Sequence, residues 1–268
     1  MYNHVNHHHY TMVIFIAASL VFTYFIYNKT FIKGCFKIQL GEYSIRRVKY
    51  NLDNNTINEL KEIAINSVGI IPNNPFFKGE NLQNKIALII YHNNKPIAFN
   101  VMFDYKCKNL NCLHIGLVLV DKNHRGKKLQ TFKIYNSILY LIENLFSNIY
   151  LSDLGHSASG LKIVNSNVKS SYPNLIYNTK SNDNYKQIFN YFIEKFKEDA
   201  QISTIAVGND DTFIISNSNN LQGGASYLLE FESTRMSKDS KYNDFMTRMN
   251  KEDEVLSIGK INLLTYLF

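Results

Sequence analysis

The stretch from Leu113 to Leu145 constrains this chain more than any other. It opens with an apolar run, His114-Ile115-Gly116-Leu117-Val118-Leu119-Val120, and passes into a basic turn, Asp121-Lys122-Asn123-His124-Arg125-Gly126-Lys127-Lys128. It closes in a pattern from Leu129 that sets Phe132, Ile134, Tyr135, Ile138, Leu139, Ile142, Leu145 and Phe146 along one stripe. The run reads as a buried strand, and the stripe has the spacing of an amphipathic helix. A strand that feeds a basic turn and then a helix start is an anion site. The first helical N–H groups have no partner within the helix, and the helix dipole favours negative charge there. Arg125 and Lys127 add formal positive charge, so the expected ligand is a phosphate or pyrophosphate. A basic turn of this kind also occurs as plain α/β scaffolding, and the surrounding elements decide between the two.

Those elements have a readable order. Leu40 to Tyr50 alternates and suits a strand, and Thr56 to Val68 has helical spacing with Asn55 or Thr56 as the N-cap. Pro72, Pro75 and Gly79 mark a loop placed to line a cleft. Lys85 to Tyr91 and Ile97 to Tyr105, joined through Asn93-Asn94, read as a hairpin, because Asn tolerates the positive φ of tight turns. A short strand at Asn148 to Leu151 follows the long helix, ahead of Ser152-Asp153-Leu154-Gly155-His156-Ser157. Further on, a helix is predicted from Asn184 to Asp199, a second hairpin over Ile202–Val207 and Thr212–Ile215, a strand over Ser226–Phe231, a helix over Tyr242–Met249 and strand from Val255 onward.

The basic turn resembles motif A of the GNAT acyltransferases, which bind acetyl-CoA. Val118-Leu119-Val120 matches the end of that family's strand. Arg125-Gly126-Lys127-Lys128-Leu129-Gln130 matches its loop in length, in the leading Arg and in the second-position Gly. Lys128 stands where the family has a required Gly, and Gln130 where it has Gly or Ala; small residues there let the backbone approach the pyrophosphate. The order strand, helix, hairpin, strand, basic turn, helix, strand is also the GNAT order over Leu40 to Leu154. The resemblance implies an α/β (α+β) fold with a mixed, mostly antiparallel sheet flanked by helices. It further implies an acyl-CoA gap where the strand at Leu117–Val120 splays from the strand at Ile149–Leu151. On that reading residues 38–180 form the acyl-CoA-binding domain, and residues 181–268 are a C-terminal extension completing the sheet and the substrate side.

The N-terminus carries a separate message. Residues 12–28 hold no charge and run apolar from Met12 to Tyr27, near the short limit for a transmembrane helix. Tyr24 and Tyr27 suit an interfacial belt. A signal peptide is the competing reading, but it calls for a basic leading region and small residues at a cleavage site, and this run has neither. An anchor that stays in place is therefore expected, after a disordered tail, residues 1–11, which includes His4 and His7-His8-His9. Lys29, Lys33, Lys37, Arg46, Arg47 and Lys49 all follow the run, so the positive-inside rule puts the large C-terminal part in the cytoplasm. Cys35, Cys107 and Cys112 show no framework spacing, in keeping with a reducing compartment. The net charge of +7 is scattered, with no basic block that would point to nucleic acid.

The expected chemistry is transfer of an acetyl group from acetyl-CoA to an amine. By resemblance, the backbone of Val118, Leu119 and Val120 holds the donor and polarises its carbonyl, while Arg125, Gly126, Lys127, Lys128, Leu129 and Gln130 form the pyrophosphate loop. Asp153, just past a predicted strand, and His156 are candidate bases, with Glu80 as a weaker one; Tyr172 is a candidate acid, since GNAT enzymes often use a Tyr after the fifth strand. The structural alternatives are a cap or turn residue for Asp153, a solvated loop histidine for His156 and chance placement for Tyr172. No metal-ligating pattern, Walker loop, Gly-x-Gly-x-x-Gly or Cys-x-x-Cys occurs, and the spacing around Ser157 is wrong for a hydrolase elbow. A catalytically silent protein of the same fold, serving as a membrane-linked binding or structural component, for example in a viral particle, is the alternative function. Lys128 and Gln130 favour it.

Overall fold

The computed structural model describes residues 35–261 apart from 41, 128, 130–131, 145–146, 156–157, 200 and 220–239. The expected anchor, residues 12–28, lies outside the described residues, as do Lys128, Gln130, His156 and the strand expected over Ser226–Phe231. Among the described residues, no helix is long and apolar enough to cross a membrane.

Among the described residues, nine strands form one sheet in the order β1-β2-β3-β4-β5-β6-β9-β8-β7. They are β1 (Phe36–Leu40), β2 (Tyr43–Lys49), β3 (Lys85–His92), β4 (Lys95–Cys107), β5 (Leu110–Val120), β6 (Ile149–Gly155), β7 (Val207–Asn209), β8 (Ile214–Ser216) and β9 (Glu254–Ile261). The helices are α1 (Asn54–Val68), α2 (Phe132–Glu143), α3 (Ala158–Asn167), α4 (Asp183–Glu198) and α5 (Ser240–Met246). Every neighbouring pair of strands is antiparallel except β5 and β6. This is the mixed, mostly antiparallel sheet that the sequence predicts.

Side-chain alternation divides the core between the two faces of the sheet. Ala87, Ile89, Tyr91, Phe99, Val101, Phe103 and Tyr105 face one way and pack under α1 and α4. Ile86, Met102, Leu113, Ile115 and Leu151 face the other way, against Tyr140 and Leu141 of α2. Helix α1 begins at Asp53, whose carboxylate accepts from the Thr56 N–H at 2.7 Å, and it ends at Gly69 with φ +85°. Asp53, rather than Asn55 or Thr56, is thus the cap, because the helix begins at Asn54, two residues earlier than the apolar spacing suggests. Helix α4 buries Tyr185, Ile188, Phe189, Phe192 and Phe196 on one stripe. Each buried Phe contributes about 1.5–3 kcal/mol of transfer free energy.

Several boundaries differ from the sequence expectation. The strand expected over Leu40–Tyr50 is β2, and it is preceded by an edge strand, β1, that pairs with it and ends at Leu40, where the expected span begins. Of the helix expected from Leu129 to Leu145, the described part is α2, Phe132–Glu143. Strand β6 runs on to Gly155, because Ser152 to Gly155 find partners on β9 that are distant in sequence. The second hairpin shrinks to β7 and β8 around a wide turn in which Phe213 takes a φ of +59°.

Candidate functional site

The only parallel pair in the described sheet ends early. Strands β5 and β6 are paired from Asn111–Ile149 through Ile115–Asp153 and no further. Beyond that point Gly116 to Val120 continue along β4, while Leu154 and Gly155 continue along β9. A wedge therefore opens between β5 and β6, where the resemblance places an acyl-CoA gap. A bulge starts the divergence: Met102 pairs with Ile115 and Asn100 with Val118, so Gly116 and Leu117 of β5 together oppose Val101 of β4. Glycine is required at the bulge. A Cβ on Gly116 would lie 2.0 Å from Cε2 of Phe103 and 2.6 Å from the Val101 carbonyl oxygen. Gly116 was assigned no role from the sequence, although a lone Gly in an apolar strand is the usual mark of a bulge.

The basic turn is ordered by its own residues. Asp121 is buried, and its carboxylate accepts from the Asn123 N–H at 2.8 Å, capping a 3-10 turn over Lys122–His124. Gly126 takes a φ of +79°. The Arg125 guanidinium donates to the Ser67 carbonyl at 2.7 Å and so ties the turn to the end of α1. The Lys127 ammonium is exposed and donates to Nδ1 of His124 at 3.4 Å. Leu129 is buried with Ile90, Ile97 and Ala98, anchoring the turn on the sheet through its side chain.

A polar network that the sequence reading missed holds α2 in place behind the turn. Arg47 of β2 is fully buried; its Nε donates to Asn136 at 2.8 Å, and its two terminal nitrogens clasp the Glu143 carboxylate. Lys49 adds a 2.7 Å bond to Glu143. The Asn136 amide donates onward to Asn100 at 3.1 Å. Tyr140 and Tyr50 both donate to Asp104, at 2.7 and 2.6 Å, and burial raises both phenols above their usual range. The polar residues sit in strand and helix stretches whose apolar pattern dominates, so spacing alone gave no sign that they meet.

A second row crosses the opposite face below the wedge. Lys85, Phe103, His114 and Ser152 are successive cross-strand neighbours on β3, β4, β5 and β6. The Lys85 ammonium lies 4.4 Å from the Phe103 ring centroid, donates to Asn84 at 2.6 Å and sits 4.0 Å from the Asp199 carboxylate. Burial draws it down to about 8, against the pull of Asp199. His114 is packed among Phe103, Phe192 and Phe196, and its Nδ1 lies 2.9 Å from the Ser152 hydroxyl. Burial, helped by the charge on Lys85, brings it down to about 3.

The candidate catalytic residues are dispersed. Asp153 belongs to the last β5–β6 pair, at the apex of the wedge, and lies within β6 rather than after it. It is half-buried and also pairs in register with Ser257 of β9, whose hydroxyl is buried with no hydrogen-bond partner. Tyr172 is elsewhere. It bridges Ile258 on the edge of β9 away from β6, its hydroxyl donates to the Asp211 carbonyl, and its ring packs edge-on against Phe213. Glu80 is exposed after the 3-10 turn Pro75–Lys78. The structure thus brings Asp153 and the β5 backbone together and leaves Tyr172 on the far side of β9.

No family model matches the chain, and no curated protein matches it in sequence. Among solved structures, it is similar to the ribosomal-protein-S18-alanine N-acetyltransferase of Escherichia coli, at 11% identity and a TM-score of 0.42 over 81% of this chain and 94% of that one. It is also similar to a ribosomal-protein-alanine N-acetyltransferase of Brucella melitensis, at 16% identity and a TM-score of 0.36 over 46% and 89% of the two chains. A putative streptothricin acetyltransferase of Bacillus anthracis, solved with acetyl coenzyme A, overlaps 32% of this chain and 48% of its own, at 22% identity and a TM-score of 0.26.

Proposed function

We propose that this chain is a GNAT-type acyltransferase that takes an acetyl group from acetyl-CoA and gives it to an amine. The observation that carries this reading is the wedge: one parallel pair that parts after Ile115–Asp153, with a glycine bulge on β5 and a basic turn between β5 and α2. Among the described residues no strand lies against the edge of β5 that faced β6 from Gly116 onward, so the backbone of Val118, Leu119 and Val120 offers donors and acceptors to an extended ligand. Backbone donors of this kind polarise a thioester carbonyl and stabilise the negative charge that develops on its oxygen. The bound donor supplies the activated acetyl group. Gly126, Lys127 and the start of α2 are assigned to its pyrophosphate.

Asp153 is the proposed base. It stands at the apex of the wedge and takes the proton that the amine loses as it attacks the carbonyl carbon; the C–S bond then breaks, and coenzyme A leaves as a thiolate that takes up a proton from solvent. In this scheme Arg125 acts as a tether between the turn and α1. We further propose that residues 12–28 anchor the chain in a membrane with the catalytic part in the cytoplasm; the uncharged apolar run and the basic residues after it support this. Carbonate extraction and protease protection on sealed vesicles test the anchor, and a protein that washes off the membrane refutes it.

Incubation with acetyl-CoA and a panel of amines and peptide N-termini, followed by the release of free thiol, tests the activity. Asp153→Asn is expected to lower turnover by about 10²–10⁴-fold with donor affinity unchanged. Donor binding with no transfer to any acceptor would favour the catalytically silent reading.

A further inference from the structure

Two histidines meet at the rim of the turn that leads into α2. His92 ends β3, and His124 ends the 3-10 turn; their ring centroids are 5.2 Å apart with planes at 61°. His92 faces the Tyr43 ring at 4.9 Å and the Glu42 carboxylate at 3.4 Å. His124 faces Lys127 at 3.4 Å, with Asp121 on its own turn. The Lys127 ammonium donates to Nδ1 of His124, which requires a lone pair there, so this arrangement holds His124 as neutral imidazole with its proton on Nε2. Partial burial lowers the affinity of His124 for a proton, and Lys127 and His92 lower it further, against the opposing pull of Asp121. Meanwhile Arg125, the formal cation first expected to meet the ligand, reaches to Ser67.

We propose that His92, His124 and Lys127 form a proton-linked anion site on this rim, which takes a phosphate group of the acyl donor. The assignment rests on the acyl-CoA reading above. An anion that settles against Lys127 draws the ammonium off Nδ1 and sets a negative charge within reach of both rings. An opposite charge at about 4–6 Å favours the protonated imidazole, so a proton is taken from solvent as the ligand binds. The glycine at position 126, at φ +79°, keeps side-chain bulk out of the turn between His124 and Lys127. Neither histidine is fully buried, so both are within reach of a ligand.

Calorimetric titration of coenzyme A into the full chain at pH 6.5 and 7.5, in buffers of differing ionisation heat, reads this linkage directly. Uptake of a half to one proton per ligand corresponds to about three- to ten-fold tighter binding at the lower pH. The free ligand's own phosphate titrates near pH 6, and that contribution is common to every titration. The double variant His92→Gln/His124→Gln, checked for fold by circular dichroism, is therefore expected to lose the proton uptake and most of the pH dependence. Equal proton uptake in the parent and the double variant would overturn the site while leaving the acyl-CoA reading in place. Absence of coenzyme A binding by the folded parent would overturn both.

Discussion

Acid should weaken this fold through one residue at the base of the wedge. His114 is wholly enclosed by Phe103, Phe192 and Phe196 and is brought down to about 3. In the unfolded chain it titrates at about 6.5. Between those values the unfolded state binds a proton that the folded state refuses, so stability rises with pH across the window and is lost as pH falls below the unfolded value. From pH 7.5 to 5.0 the loss from this group alone works out at about 2 kcal/mol, since each pH unit well inside the window is worth about 1.4 kcal/mol. Carboxylates also titrate there, so the comparison needs a variant that lacks only this group. His114→Leu with Ser152→Ala serves, because removing both partners of the 2.9 Å contact leaves no polar atom stranded. Urea unfolding of each protein at both pH values gives the stabilities. The parent should lose about 2 kcal/mol more than the double variant. Equal losses would refute the claim that His114 is neutral and excluded from water.

Three further outcomes follow from the same packing. Lys85, drawn down to about 8, should make the parent gain about 1.5 kcal/mol from pH 8 to 9.5, because the folded state releases the proton first; Lys85→Met should flatten that rise in urea titrations. Gly116→Ala puts a Cβ against Phe103 and the Val101 carbonyl and should cost about 1–3 kcal/mol, whereas Gly155→Ala, with nothing within 4 Å, should cost far less; similar melting temperatures for the two would contradict the bulge. Glu143→Gln removes the carboxylate charge that the buried Arg47 guanidinium clasps and should cost about 3–5 kcal/mol by urea unfolding, with a loss under 1 kcal/mol marking the network as dispensable.

The sequence made the scaffold legible where periodicity was strong. The strand at β5, the turn after it, the stripe of α4 and the β3–β4 hairpin all carry local signals, namely apolar runs, Asn-Asn at positive φ and capping residues. What long-range pairing decides was not legible. Asp153 lies inside a strand because β9, a hundred residues later, pairs with it. Tyr172 is a candidate acid only by the family resemblance, and β9 lies between it and β6. Arg125 looks like a phosphate ligand from its charge, but the end of α1 offers it a carbonyl at 2.7 Å. Arg47 enters the sequence reading only as one of the basic residues after the apolar run, whereas Glu143 and Asn136, arriving from α2, bond its buried guanidinium.

Equilibrium binding of acetyl-CoA to the folded protein bears most directly on the acyltransfer reading. Titration calorimetry on the parent and on Gly116→Val, which fills the bulge beside the wedge, supplies it. The account predicts saturable one-to-one binding by the parent and a loss of at least about tenfold in affinity, roughly 1.4 kcal/mol, in the variant. No heat of binding with the parent, or equal affinity in the two proteins when both are folded, would contradict the placement of an acyl donor between β5 and β6.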